Sequence, residues 1–338
     1  MATKKVKLGI VGCGAMGSTH KQAFDLVDDV VEVAATCDID AGRAKEAADA
    51  LGAKHHSTDY RDIFPFCDAL MLVLPHDLHF GVGMECLEAN KHVLMEKPLC
   101  NTEQQCTDLI RLADSKKLVL MTAYCMRFHP LSTKLKELID SKAYGEVFQM
   151  SIWTEQYTHP EEGHWSLSAE RLGGGQFFSH GCHYVDLLLW YLGNPLRGTH
   201  IGSNHCVPWM EKEGTSNMVM EFESGAMGYH FGTWGAAGSK LGYSIHTHFE
   251  KAMAELNYGE GYLKLLRWGR EPETVLEYSG LKHTNFEIRS FAECIQNGTE
   301  PLTNGYDSLQ GLRVIWRMYE AEQKGTMADL RGLGHGRP

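Results

Sequence analysis

No apolar run in the 338-residue sequence approaches the roughly 18 residues that a membrane-spanning helix requires. The ten cysteines include no CxxC pair, which removes a zinc-ribbon reading. Several sit inside apolar, strand-like runs, so buried reduced thiols in a cytosolic setting are expected and a disulfide frame is not. Positive charge is also short. Lys and Arg number 32 against 43 Asp and Glu, a net charge of −11. Such a surface field opposes nucleic-acid backbones and anionic lipid heads, and neither partner is expected. The amino-terminal stretch MATKKVKLGIVGCGAMG has a basic start, but glycine interrupts its apolar run and no small-residue cleavage site follows. The expectation is a cytoplasmic protein without a secretion signal. Internal repeats and low-complexity tracts are lacking too.

What is present is length for about two domains and 35 unevenly placed glycines. Strands and helices alternate up to about Thr122. Strands are predicted over Val6–Val11, Val31–Cys37, Ala69–Leu74, His92–Met95 and Leu118–Thr122, with a weaker one over His55–Ser57. Helices are predicted over Ala15–Leu26, Arg43–Leu51, Gly83–Asn90 and Thr102–Ser115. Repeated βα units of this length imply a doubly wound parallel sheet, an α/β Rossmann domain over 1–125. After about Glu146, strand-like runs (VFQMSIWTEQY, SNMVMEFESG, AMGYHFGTW, YSIHTHFE) are separated by glycine-containing turns. They imply a second domain, 126–338, with an open and mostly antiparallel sheet. Helices over Asn285–Asn297 and Ser308–Gly325 are free to pack back on either domain. The final GLGHGRP reads as frayed.

The first strand runs into Gly12-x-Gly14-x-x-Gly17, and a helix is predicted to open there. Asp38 closes the next strand 21 residues after Gly17, near the spacing at which an acid meets an adenine ribose. Glycines in that loop let the backbone approach a pyrophosphate at the positive end of a helix. Gly12, Gly14, Ala15, Met16, Gly17 and Asp38 are therefore the predicted dinucleotide site. Asp38 favours NAD, because a carboxylate repels the 2′-phosphate of NADP. Arg43 leaves NADP open, since a guanidinium can stack on adenine or clamp that phosphate.

Lys97, in the MEKP segment, ends a predicted parallel strand, where open α/β sheets place their ligands. A neighbouring cationic ring lowers a lysine pKa and makes it a better proton donor. The proline that follows can hold a sharp turn in cis and fix the direction of the lysine. Farther on, GGGQFFSHGCHYVDLLLWYLG, Gly173–Gly193, reads as a helix starting near Gln176 and ending at Gly193. Tyr184, Leu187, Leu188 and Tyr191 form its core stripe, and His180, His183, Asp186 and Trp190 share an adjacent face. Histidine suits abstraction of a hydroxyl proton near neutrality.

Together with the PHDLH segment from Pro75 to His79 and the AYCMRFHP stretch from Ala123 to Pro130, these motifs resemble the glucose-fructose oxidoreductase/inositol dehydrogenase superfamily, Gfo/Idh/MocA. The resemblance covers nearly the whole chain, including FAECIQNGTEPLTNGYDSLQGLRVIW. It implies that Lys97 is the substrate-hydroxyl lysine and His183 the catalytic acid/base. His79, Glu96 and the backbone at Pro75 and His76 would line the nicotinamide side, and Arg127 and Asp186 would lie near the substrate at a domain junction. It also implies a homodimer or homotetramer assembled through the second sheet. One departure stands out: many dehydrogenases of the family carry Asp four residues before the histidine, and here that residue is Ser179. His180 or Asp186 would have to supply the missing charge.

Trp165 and Tyr157 are candidates to stack on a sugar face, as is Trp153, although core or interface packing explains each as well. His230, His246, His248 and Cys206 match no metal-ligand spacing, and no metal is expected. The reading is an NAD(P)-dependent oxidoreductase acting on a secondary alcohol of a sugar, cyclitol or sugar derivative. A redox-neutral glycosidase or lyase working through a transient keto-sugar is one alternative, motivated by Ser179. A non-enzymatic dinucleotide-binding regulator is another.

Overall fold

A computed structural model describes residues 4–14, 23–279 and 284–337. The predicted sites Ala15, Met16 and Gly17, and most of the helix predicted around them, lie outside the described residues. The chain forms two compact units, Met1–Cys125 with His283–Leu309 and Met126–Lys282 with Gln310–Pro338. The sequence reading leaves the carboxyl-terminal helices free to pack back on the first domain, and residues 283–309 group with the first unit.

In the first unit, β1 (Val6–Val11), β2 (Val31–Cys37), α1 (Ala41–Leu51), β3 (His55–Ser57), β4 (Ala69–Leu72), α2 (His79–Glu88), β5 (His92–Met95), α3 (Glu103–Lys116) and β6 (Leu120–Thr122) alternate along the chain. The sheet order is β3-β2-β1-β4-β5-β6, and every pair is parallel. Its inner strands β2, β1, β4 and β5 are rich in Val, Leu, Ile, Met and Ala because both faces are covered; all four residues of β4 are buried. Asp40 caps α1 by accepting from the amides of Gly42 and Arg43, and Gly52 in the left-handed region ends it. The later α8 (Thr284–Asn297) buries Ile288, Phe291 and Ala292. Beyond it the Thr122 amide donates to the Thr303 carbonyl at 2.8 Å, and the Thr303 hydroxyl donates to the Thr122 carbonyl at 2.7 Å. Those bonds are why 283–309 belong to this unit.

The second unit carries α4 (Pro130–Ser141), β7 (Val147–Glu155), α5 (Ala169–Leu172), α6 (Gln176–Ser179), α7 (Cys182–Leu192), β8 (Pro195–Ser203), β9 (Thr215–Phe222), β10 (Met227–Thr233), β11 (Tyr243–Phe249), β12 (Met253–Asn257), β13 (Tyr262–Leu266) and β14 (Glu273–Glu277). Later in the chain, α9 (Gly305–Lys324) runs out of the first unit into this one, and β15 (Ala328–Asp329) follows. The sheet order is β14-β13-β12-β11-β7-β10-β9-β8-β15. All neighbours are antiparallel except β7 and β10. One face, with Ile152, His230, Met218 and Ile245, is buried. The other presents Ile201, Val219, Met227, Tyr229 and Trp153. Register places His230 opposite Ile152, which pairs with Ile245; His246, the next residue, therefore faces the other way, and the two histidines cannot share an ion.

Two expectations change. The helix read from Gln176 to Leu192 is broken at His180 and Gly181: both keep right-handed helical angles, but the Gly181 amide reaches back five residues to share the Gln176 carbonyl with the His180 amide. The segment read as frayed is folded through Arg337, with Leu333 buried. All ten cysteines are free thiols, nine buried and Cys206 exposed. Among the described residues no helix is long and apolar enough to cross a membrane.

Candidate active site

One group of candidate residues, in the first unit, lies along the carboxyl edge of the parallel sheet. Gly12 leaves β1 with φ of 97°, and a Cβ there would stand 2.0 Å from the Val73 carbonyl oxygen. Only glycine fits that approach between neighbouring strands. Among the described residues, a Cβ on Gly14 would meet nothing within 4 Å. Asp38, at the end of β2, accepts from the Cys13 amide at 2.9 Å and from the Asp40 amide at 2.9 Å. Arg43 pairs with it at 3.1 Å while remaining half exposed. A glycine turn with a buried carboxylate one strand away is the arrangement that meets the phosphate and ribose of a dinucleotide in open α/β sheets. Burial, then the Asp38 charge, pushes the Cys13 thiol up to about 11, which makes it no nucleophile at neutral pH.

Lys97 follows β5 on the same edge. Glu96 donates its amide to the Leu72 carbonyl at 2.9 Å and accepts the Lys97 amide on its carboxylate at 3.2 Å. The Lys97–Pro98 bond is cis. His79 is fully buried, with Nδ1 2.8 Å from the Pro98 carbonyl oxygen and Nε2 3.0 Å from that of Leu74. Burial holds its pKa below the usual imidazole range, against the upward pull of both carbonyls. Its ring therefore ties the end of β4 to the turn that carries Lys97. Pro75 and His76 occupy the short 3-10 turn between them, and His76 is buried with its ring 5.6 Å from that of His79.

A second group, in the second unit, is built around α6 and α7. His183, 3 % exposed, sits in the first turn of α7. The His180 ring lies 6.1 Å from it, 5.3 Å from Tyr184 and 5.8 Å from Tyr243. Ser179 is buried at the end of α6. Arg127 and Asp186, candidates for substrate contact, are bonded to each other. The Arg127 Nε and Nη2 donate to the two carboxylate oxygens at 2.7 Å each, and both side chains are 1 % exposed. Burial raises the Asp186 pKa, but the Arg127 charge and the hydrogen bonds from His335 and Arg127 outweigh it and hold the carboxyl below its usual range. Trp165 packs on a cluster of Leu172, Val207, Met210 and Trp234. Tyr157 is exposed, its ring 6.0 Å from that of Trp209.

The sequence reading misses the support beneath the glycine triplet. The Glu213 carbonyl accepts from the Gln176 amide at 2.7 Å, and its carboxylate accepts from the Phe177 amide at 3.3 Å and from the Tyr319 hydroxyl. A Cβ on Gly175 would lie 2.3 Å from Glu213. The triplet signals a close approach, but nothing in the polar EKEG stretch marks Glu213 as the group approached.

The Gly12 turn, Asp38 and Lys97 along one sheet edge, and the buried imidazole of His183 in the second unit, are residues of the kind an NAD(P)-dependent oxidoreductase uses. A family profile described as "Oxidoreductase family, NAD-binding Rossmann fold" matches residues 6–124, and one described as "GFO/IDH/MocA C-terminal domain" matches 132–255. The chain belongs to the Gfo/Idh/MocA family. It is 25% identical over 334 residues to "Uncharacterized oxidoreductase YrbE" of Bacillus subtilis, covering 92% of this chain and 93% of that one. It is 27% identical over 258 residues to inositol 2-dehydrogenase 2 of Saccharopolyspora erythraea, covering 72% and 73%. The solved structure of levoglucosan dehydrogenase with NADH and levoglucosan shares the fold, with a TM-score of 0.87 at 19% identity over 97% of this chain and 100% of that one.

Proposed function

We propose that the protein oxidises a secondary hydroxyl of a sugar, cyclitol or sugar derivative with NAD. The carrying observation is the delivery of the Gly12 turn, Asp38 and Lys97 to one edge of a parallel sheet. The inositol dehydrogenase relative and the levoglucosan dehydrogenase fold support the substrate class. Gly12, Gly14, Asp38 and Arg43 hold the nucleotide, and a bound nicotinamide supplies the hydride acceptor. Lys97 donates a hydrogen bond to the substrate oxygen and stabilises the charge that grows there as its proton leaves. His183 takes that proton; its withdrawal from bulk water strengthens the contact it makes with the hydroxyl. His79 and Glu96 serve by holding the lysine turn, and Trp165, Tyr157, Ser179 and His180 by shaping the substrate pocket.

Asp38 leaves Arg43 engaged and its own negative charge at the ribose position, which supports NAD over NADP. A panel of inositols, sugars and sugar nucleotides scanned at 340 nm with both nucleotides is expected to give a cyclitol or sugar that yields stoichiometric NADH, with NADPH formed more slowly. Glycoside cleavage without net NADH overturns this reading in favour of transient oxidation, and tight NAD binding without turnover of any polyol or glycoside overturns it in favour of a regulator.

The open face of the nine-stranded sheet supports a homo-oligomer. Ile201, Met227 and Val219 are 67 %, 50 % and 43 % exposed on it, an apolar patch of the kind that subunits cover. Light scattering is expected to give two or four chain masses, and a single-chain mass at micromolar concentration sinks the assignment.

A further inference from the structure

We propose that the segment from Leu330 to Arg337 is a strap whose His335 positions the helix carrying His183. It rests on the dehydrogenase reading for the role of His183. After β15, the Leu330 amide donates to the Leu196 carbonyl at 2.9 Å and the Leu333 amide to the Leu330 carbonyl at 3.2 Å. Gly332, Gly334 and Gly336 have φ of 78°, 143° and 91°, a backbone path that side chains resist. They alternate with Leu333, which is buried, and His335, which reaches the Arg127–Asp186 pair. The strap also closes on the far end of α7: a Cβ on Gly334 would stand 2.2 Å from Oδ1 of Asn194, the residue after Gly193, which ends the helix.

The imidazole reaches both members of the pair. Its Nδ1 and Nε2 lie 2.9 and 3.0 Å from Nη2 of Arg127, so the guanidinium donates to the ring nitrogen that carries no proton. Its Nε2 lies 3.4 Å from Oδ1 of Asp186, where an N–H on that nitrogen donates. With the proton on Nε2, His335 accepts from the cation and donates to the anion, so the buried fork gains a third member and its charge balance stays unchanged. Asp186 stands three residues after His183, on the same side of α7. Fixing the Asp186 carboxylate therefore fixes the turn that aims the His183 ring. His335 touches no reacting atom in this scheme and acts through Arg127 and Asp186.

The test uses the full chain with His335→Ala, His335→Gln and Gly334→Ala, following kcat, KM for both substrates, thermal unfolding and amide hydrogen exchange along α7. His335→Ala is expected to lower kcat by about 10- to 100-fold through misaiming, with the nucleotide KM unchanged. Exchange at residues 184–188 is expected to quicken by about tenfold, a local opening without global unfolding. Gln offers one acceptor and one donor at similar reach and is expected to restore most of both readouts. Gly334→Ala is expected to reproduce the His335→Ala pattern while keeping the imidazole. Unchanged exchange in His335→Ala overturns the strap whatever the activity, as does a kcat loss that Gln does not rescue. If the wild-type chain turns over no polyol, the dehydrogenase reading falls, and the exchange measurement still decides whether the strap holds α7.

Discussion

Lys97→Met is expected to lower kcat by about three orders of magnitude while the nucleotide binds almost as before. Met keeps the length and the apolar stem and removes only the ammonium group. The turn around it survives, because its supports are backbone and neighbours: the Lys97 amide on the Glu96 carboxylate, and the Pro98 carbonyl on His79. What is lost is the hydrogen bond to an oxygen that gains charge as it deprotonates, and groups in that role contribute about 10²- to 10⁴-fold. The nucleotide loop and Asp38 lie on other strands of the sheet and are untouched. Steady-state kinetics beside a fluorescence titration with NADH provides the check. A variant that keeps most of its kcat removes Lys97 from the chemistry, and one that loses nucleotide affinity to the same degree makes it a binding residue only.

Arg127→Met is expected to cost the fold about 3–5 kcal/mol, since it leaves the Asp186 carboxylate buried without its counter-charge. The pair is bidentate and almost wholly out of water, so solvent screening offers little relief. The double variant Arg127→Met with Asp186→Leu is expected to recover much of that loss, as apolar replacement of a whole buried pair often does. Urea unfolding of the three chains measures both differences, and an unchanged midpoint for the single variant contradicts the account. The pair has a pH signature as well. Because the folded state holds Asp186 below the ordinary carboxylate range, its contribution is fully present above that range. It is lost as pH falls through the lowered folded value. The acid limb of the wild-type stability curve should carry this loss, and the double variant should lack it.

The parallel sheet is readable because four of its strands, β1, β2, β4 and β5, are short, mostly apolar runs with Gly, Asp or Pro soon after them, and the site residues sit at those closures. Gly12, Asp38 and Lys97 could be placed on one edge from order alone. The second unit was harder. Four of its strands show in the pattern, but β8, with Pro195, Gly198 and Gly202 in it, and β14, reading ETVLE, carry weak strand signals. A helical repeat also cannot see a break such as that at His180 and Gly181, where two amides share the Gln176 carbonyl. Least legible were partners far apart in sequence. Arg127 and Asp186 are 59 residues apart, and Arg127 and His335 are 208 apart. Each polar residue reads alone as a surface or ligand group, and only the folded chain shows that they satisfy one another. The alternating glycines before and after His335 are the available clue, although by composition alone they read as fraying.

The return of residues 283–309 to the first unit has a consequence for biosynthesis. Thr122 ends β6, yet the groups that satisfy its backbone and cover that edge emerge from the ribosome only after the whole nine-stranded sheet except β15 has been made. During translation the nucleotide-binding half therefore waits, with one sheet edge open, for a segment more than 150 residues downstream. Long-range closure of this kind is slow and leaves apolar edges exposed to neighbours on the same messenger. Nucleotide binding to the nascent Gly12 turn cannot substitute for it, since that turn and the unfinished edge lie at different strands of the sheet.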